Sequence, residues 1–358
     1  MSDVENGMYK IRVMYISIPS SLPYCAPVNG PMAPDRLWRK LSRRARSTLS
    51  RFIPREEHTF LEQVRRPFAA ETSDRGRNVA IRQFEKGMRF RRLHEAGDTF
   101  VIPNPWDAGT ARMLTSLGFK ALTTTSAGLA FTLGRPDGMA GLEATLANAR
   151  AIVDATDLPV AADLENGFGH SPDDAAETIR RAGLEAGLVG GSIEDASGDP
   201  SRPIYELSHA VERVAAAVEA ARRLPFPFIF VARAENYLHG RPDLDDTIRR
   251  LQAFEAAGAD ALSAPGITTP DEIRAVCSSL SKPVNVLAGL RNMPVTVAEL
   301  AALGVRRISI GSALTRVALG AFHRAAREIA SNGTFAFDEA LPFADVNAMM
   351  VAPSRAVS

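Results

Sequence analysis

The stretch Pro159-Val160-Ala161-Ala162-Asp163-Leu164-Glu165-Asn166-Gly167-Phe168-Gly169 places two carboxylates at i and i+2 at the end of a short apolar run, just before a glycine turn. Such a run reads as a strand over Val160 to Glu165, and alternation along it sends Asp163 and Glu165 to the same side. The next apolar run, Gly190-Gly191-Ser192-Ile193-Glu194-Asp195, ends in a second acidic pair. Outward from these two, short apolar runs recur roughly every 25 to 40 residues from Met88 onward, each followed by a polar turn and an amphipathic stretch. The predicted strands are Phe100 to Ile102, Ala121 to Thr125, Val160 to Glu165, Val189 to Glu194, Phe228 to Arg233, Ala261 to Ala264, Val284 to Leu287 and Arg307 to Ile310. Between them Gly141 to Ala155, Pro172 to Ala186, Ile204 to Arg223, Leu244 to Ala257 and Val295 to Leu303 are rich in Ala, Leu, Glu and Arg, as helices prefer. Eight parallel strands with intervening helices predict an α/β chain closed into a (β/α)8 barrel of the TIM type. No glycine-rich dinucleotide fingerprint follows the first strand, which counts against an open doubly wound sheet.

Residues 1–87 differ in kind. They carry scattered Pro, an Arg-dense stretch (Arg39, Arg43, Arg44, Arg46, Arg51) and no sustained period, so a poorly ordered extension is expected there. The barrel and a C-terminal helical tail are expected over residues 88–358. With 42 basic against 41 acidic residues the net charge is +1, so no general field draws in nucleic acid or an anionic membrane. No apolar window approaches the length of a spanning helix, and Cys25 and Cys277 match no metal or disulfide spacing. A cytoplasmic protein acting on small molecules is the expectation.

In such a barrel the chemistry sits at the C-terminal ends of the strands. Asp163, Glu165 and Glu194 end consecutive strands there. Carboxylates converging in one mouth repel unless a cation lies between them, and hard oxygen donors select Mg²⁺, with Mn²⁺ as the alternative. Asp195 reads instead as a helix cap or the partner of an Arg. Arg233 ends strand five, where a fixed guanidinium clamps a carboxylate or stabilises developing negative charge, or else pairs internally with Glu235 or Glu194. Strand two ends in Thr123-Thr124-Thr125-Ser126-Ala127-Gly128, whose backbone N–H groups can approach an anion, although polar turn chemistry explains the run equally well. Trp106, after strand one, reads either as a pocket wall or as a packed side chain, and Asp107 as a helix cap. His170 and His239 lie on the rim. Lys120 and Lys282 precede strands two and seven, at the opposite end of the barrel, which argues against Schiff-base chemistry.

With the strand ends assembled, Asn104-Pro105-Trp106-Asp107-Ala108, Leu133-Gly134-Arg135-Pro136-Asp137, Asp163 to Gly169, Ile193-Glu194-Asp195 and Val231-Ala232-Arg233 stand in an order and spacing that resemble the isocitrate lyase and phosphoenolpyruvate mutase superfamily, from about Met88 to Ile329. The resemblance implies a Mg²⁺-dependent lyase or mutase that makes or breaks a C–C or P–C bond of a small 2-oxo acid through an enolate. It puts the metal acids at Asp163, Glu165 and Glu194, the substrate-clamping arginine at Arg233, the oxyanion segment at Thr125 to Ala127, and a further active-site acid at Asp137. Trp106 and His239 join the expected substrate contacts, and a homo-oligomer, tetrameric by the same resemblance, is implied. Two departures stand out. Glu165 replaces the Asp found in many members, and the segment Asp195 to Tyr205 has neither the Cys nor the Lys of the isocitrate-cleaving branches. Oxaloacetate-like decarboxylation or phosphonopyruvate-type chemistry is therefore expected ahead of methylisocitrate cleavage with His239, Tyr205 or His170 as the acid. A barrel that binds a carboxylate without turnover is the non-enzymatic alternative.

Overall fold

The structure, a computed structural model, describes residues 74–290, 293 and 296–351. Eight strands, β1 (Phe100–Ile102), β2 (Leu122–Thr123), β3 (Val160–Asp163), β4 (Gly190–Glu194), β5 (Ile229–Arg233), β6 (Ala261–Ser263), β7 (Val284–Leu287) and β8 (Arg307–Ser309), form one all-parallel sheet in the order β1-β8-β7-β6-β5-β4-β3-β2. A backbone bond from Thr123 N to Pro103 O at 3.1 Å links β2 to the end of β1 and draws the ring together. The result is the (β/α)8 barrel expected. Every strand lies within its expected span, and the shortening falls mostly at the polar ends, where the chain leaves the ladder to present side chains.

The helices are α1 (Asp74–Glu95), α2 (Ala108–Ser116), α3 (Ser126–Thr132), α4 (Leu142–Ala155), α5 (Pro172–Leu184), α6 (Leu207–Arg222), α7 (Leu244–Ala256), α8 (Pro270–Ser278), α9 (Val297–Ala302), α10 (Ala313–Asn332) and α11 (Phe343–Met350). Local chemistry sets many of their starts. Ser171 and Asp174 form a capping box ahead of α5 with Pro172 at its first position, and Thr296 with Glu299 does the same for α9. Asp107 and Thr110 cap α2 reciprocally, as the capping reading of Asp107 anticipates.

The core lies between the sheet and the helix ring, where Ile102, Leu122, Ile152, Leu164, Ile179, Leu188, Phe228, Phe230 and Phe254 are fully or almost fully buried. The boundary expected at Met88 is corrected by α1, which starts at Asp74 and runs through it. Gln83 Nε2 donates to Gly183 O and Leu188 O at 2.8 and 3.1 Å, Lys86 Nζ donates to Thr156 O at 2.8 Å, and Phe90 is fully buried. This helix is strongly polar, so its narrow apolar stripe escapes a search for amphipathic periodicity. Glycines let it seat closely: a Cβ on Gly190 would lie 2.6 Å from Phe90 Cε1, and one on Gly87 would lie 2.4 Å from Pro227 O. The remainder of the expected extension, residues 1–73 with Cys25, lies outside the described residues.

Candidate active site

A cavity of about 240 Å³ opens among the strand ends and extends into the barrel interior; its lining includes Thr125, Ser126, Ala127, Asp137, Asp163 and Arg233. Arg233, at the end of β5, binds three carboxylates at once: Nη1 to Asp163 Oδ1 at 2.7 Å, Nη2 to Glu194 Oε2 at 2.9 Å, and Nη2 to Glu235 Oε1 at 2.8 Å. Strand register sets up this convergence, because Glu194 pairs with Arg233 across β4 and β5 while Asp163 sits beside Ser192 across β3 and β4. The internal pairing of Arg233 weighed from the sequence thus includes both proposed partners.

Asp163 is held on every side. Its Oδ2 accepts from Ser126 Oγ at 2.8 Å, its Oδ1 accepts from Glu165 N at 3.2 Å, and its own N–H donates to Thr124 Oγ1 at 3.2 Å. Glu165 is a different case. Its backbone is left-handed, with φ 48°, and Phe168 in the same loop has φ 57°; these are the two non-glycine residues with positive φ among those described. Such a conformation costs on the order of 1 kcal/mol or more per residue and marks a loop held by its surroundings. Glu165 Oε1 is buried with no hydrogen-bond partner, and burial, then Asp163 and Asp137, push its carboxyl up to about 7. Burial also raises Glu194 and Glu235 despite the neighbouring guanidinium. Asp137 is raised as well, by partial desolvation and then by Asp163.

Asp163, Glu165 and Glu194 do not gather into a ready metal site: among the described residues no three Asp, Glu, His or Cys side chains stand closely enough to grip an ion. The reason is electrostatic, since the Arg233 guanidinium occupies the position of the missing positive charge between Asp163 and Glu194. One guanidinium does not balance Asp163, Glu165, Glu194 and Glu235. The acidic excess, the all-oxygen donor set and the orphaned Glu165 Oε1 fit a hard divalent cation.

Thr125 is the N-cap of α3, its Oγ1 accepting from Gly128 N at 3.2 Å, and Ser126 and Ala127 open the helix. Their N–H groups therefore have no intrahelical acceptor. This helix is absent from the sequence reading, which treats the segment as a turn. Asn104, just past β1, ties the chain ahead of this helix to the end of β8: Nδ2 donates to Thr124 O at 2.8 Å and Oδ1 accepts from Ile310 N at 3.0 Å.

Of the expected site residues, Trp106, His239, Glu165 and Glu194 do not line the cavity. Trp106 packs on α3, where a Cβ on Gly128 would lie 3.0 Å from Trp106 Cβ. His239 is exposed, and Leu238 takes the lining position instead. Nor do His170 and Tyr205 line it; they bond to each other on the rim, His170 Nδ1 to Tyr205 OH at 2.6 Å. Asp195 pairs with Arg250 at 3.2 Å and accepts from Glu235 N at 2.8 Å, which locks the loop behind the cluster in the structural role read from the sequence. No lysine lines the cavity. Glu235 is the carboxylate missed as a site residue; its i+2 spacing from Arg233 is the signal that could have placed it.

A family profile described as phosphoenolpyruvate phosphomutase matches residues 90–330. The 2-methylisocitrate lyase of Escherichia coli K12 is 30% identical over 206 residues, covering 55% of this chain and 68% of its own. A crystal structure from Burkholderia cenocepacia J2315, described only provisionally as a lyase/mutase, is 56% identical with a TM-score of 0.74 and covers 76% of this chain and 98% of its own. Phosphonopyruvate hydrolase, solved with oxalate and Mg²⁺, is 25% identical with a TM-score of 0.66, covering 74% and 94%. Barrel, acidic strand ends and profile agree, and the chain belongs to the phosphoenolpyruvate mutase/isocitrate lyase superfamily of lyases and mutases that act on small organic acids.

Proposed function

We propose that this chain is a Mg²⁺-dependent lyase or mutase that makes or breaks a C–C or P–C bond of a small 2-oxo acid, with oxaloacetate-like decarboxylation or phosphonopyruvate-type chemistry as its reaction. The observation that carries this reading is the convergence of Asp163 and Glu194 on Arg233, of which Asp163 and Arg233 line the cavity, together with the unpartnered Glu165 Oε1. Asp163, Glu165 and Glu194 would hold the ion. When bound, it would supply Lewis-acid charge to the 2-oxo carboxylate.

Bond cleavage sends the bonding pair into the adjacent carbonyl and leaves an enolate. The N–H groups of Ser126 and Ala127 meet that oxygen as charge builds, and Arg233 adds a fixed positive charge nearby. Asp137 lines the cavity with its carboxyl raised, which suits it to exchange the proton at carbon. Methylisocitrate-type cleavage is less well supported, because the three acids available to it, His239, Tyr205 and His170, do not line the cavity. A homo-oligomer is part of the proposal, supported by the apolar residues that α10 and the segment after it leave exposed, among them Val317, Phe322, Phe335 and Phe343. A cytoplasmic setting is supported by the free thiol of Cys277. No helix among the described residues is long and apolar enough to cross a membrane.

The test is a panel of 2-oxo, 2-hydroxy and phosphono acids assayed for pyruvate or carbon dioxide release with Mg²⁺ and with chelator. Turnover of a 2-oxo acid that chelator abolishes is expected. Carboxylate binding without turnover of any panel member would instead make this a binding barrel.

A further inference from the structure

Beneath the acidic strand ends, the same cavity is lined by a second arginine that the proposed chemistry does not use. Arg307 opens β8, two positions before Ser309, and so lies about 6–7 Å deeper along the strand. It is 4% exposed, and neither its Nε nor its Nη1 has a hydrogen-bond partner. The other buried arginines are both answered, Arg213 by the carbonyls of Ser171 and Asn166 and Arg250 by Asp246 and Asp195, as is the partly buried Arg233 by three carboxylates. Among the described residues no carboxylate pairs with Arg307, whose nearest π-face is the Phe90 ring, 5.9 Å from its Cζ. Burial alone pulls its pKa down, to about 10, so it keeps its charge at neutral pH.

A buried, uncompensated cation is destabilising, and a structure that keeps one beside a cavity leaves its donors for something that enters. Asn285 sits directly opposite Arg307 in the β7–β8 register and also lines the cavity. Its Nδ2 donates to Ser263 Oγ at 3.1 Å and to Ser309 Oγ at 3.0 Å, while its Oδ1 has no partner. Unused N–H donors on a full positive charge therefore stand next to an unused acceptor, both nine-tenths or more buried on one cavity wall. The complement to that pair is an oxyanion, most completely one that also carries an O–H.

We infer that the floor of the barrel at Arg307 and Asn285 is an anion site, separate from the carboxylate cluster above it, that takes a small oxyanion the size of a carboxylate or bicarbonate. That anion is either free or the far carboxylate of an extended dicarboxylic acid. The inference concerns binding and does not depend on the reaction proposed above.

The experiment measures binding of formate, bicarbonate and malonate to the full chain, by calorimetry and thermal denaturation at constant ionic strength, with and without Mg²⁺. Saturable binding of formate or bicarbonate is expected, weakened at least tenfold in Arg307→Met. Without anion that variant melts above the wild type, because the unpaired charge is gone, and added anion closes the gap. Asn285→Asp, which gives Arg307 an internal counter-ion, loses the same binding and provides a second variant should the first fail to fold. Malonate that displaces formate one for one, and weakens with it in both variants, identifies the far carboxylate of a dicarboxylic acid as the occupant; simultaneous binding identifies a free anion. Absence of saturable binding to the wild type, or binding unchanged in both variants, overturns the site. Because no readout uses turnover, a chain inactive on every acid still tests it.

Discussion

His94, near the end of α1, is expected to make this fold acid-sensitive by an amount that its surroundings set. The ring is 3% exposed, packs edge-on against Phe90 and Phe100 at centroid distances of 4.6 and 5.2 Å, and bonds through Nδ1 to Phe90 O at 2.9 Å. A carbonyl only accepts, so Nδ1 carries the hydrogen and Nε2 is left bare, buried and unpartnered. Burial, then the positive charge of Arg307, drives the pKa from the ordinary 6.5 down to about 3. Between those values the unfolded chain binds a proton that the folded chain refuses, so stability is complete above 6.5 and is lost as pH falls toward 3. At pH 4.5 the loss from this one group is about 3 kcal/mol. His94→Leu removes the titration along with one hydrogen bond and one orphaned acceptor, two effects of opposite sign that leave neutral-pH stability within about 1 kcal/mol of wild type. Urea unfolding of both chains at pH 7.5 and 4.5, followed by circular dichroism, checks it. The drop between the two pH values should be about 2–3 kcal/mol smaller in the variant, with every other titrating group cancelling in the comparison. Equal drops in both chains would refute the reasoning.

Asp163→Ala is expected to leave the fold intact and to lower turnover at least about a hundredfold, the scale of one lost charge-stabilising group, with a parallel loss of Mg²⁺ affinity in calorimetry; unchanged Mg²⁺ affinity would move the metal site elsewhere. Truncation to Met88 removes the Gln83 and Lys86 anchors, worth about 1 kcal/mol per hydrogen bond, and should lower the melting temperature by several degrees; an unchanged Tm would show that α1 holds on through Phe90 alone. Cys277→Ser should keep wild-type kcat/KM, and the wild-type Cys277 should react slowly with thiol reagents, because burial pushes the thiol up to about 11 and α8 carries it on the outside of the barrel; a tenfold loss in the variant would place that thiol in the chemistry.

The sequence by itself determined the barrel and most of its acidic mouth. Strand alternation is a local property, so the runs ending in Asp163, Glu194 and Arg233 announce both their strands and the end at which their polar groups emerge. Caps such as Asp107 and Ser171 are equally local. Only the tertiary structure decided what those groups meet. Arg233 binding three carboxylates depends on the register between β3, β4 and β5, and the unpartnered Glu165 Oε1 sits on a loop whose backbone is left-handed at that residue. Trp106 and His239 follow the right strands, yet neither lines the cavity, because the direction of a loop side chain is set by what packs beside it and not by its distance along the chain. The α1 helix was hidden for a related reason: a polar helix declares its buried stripe only when the surface it covers is present. Arg307 is the clearest case. In sequence it is one arginine beside another ahead of an apolar run, and only closure of the barrel leaves it buried, charged and unpaired on a cavity floor.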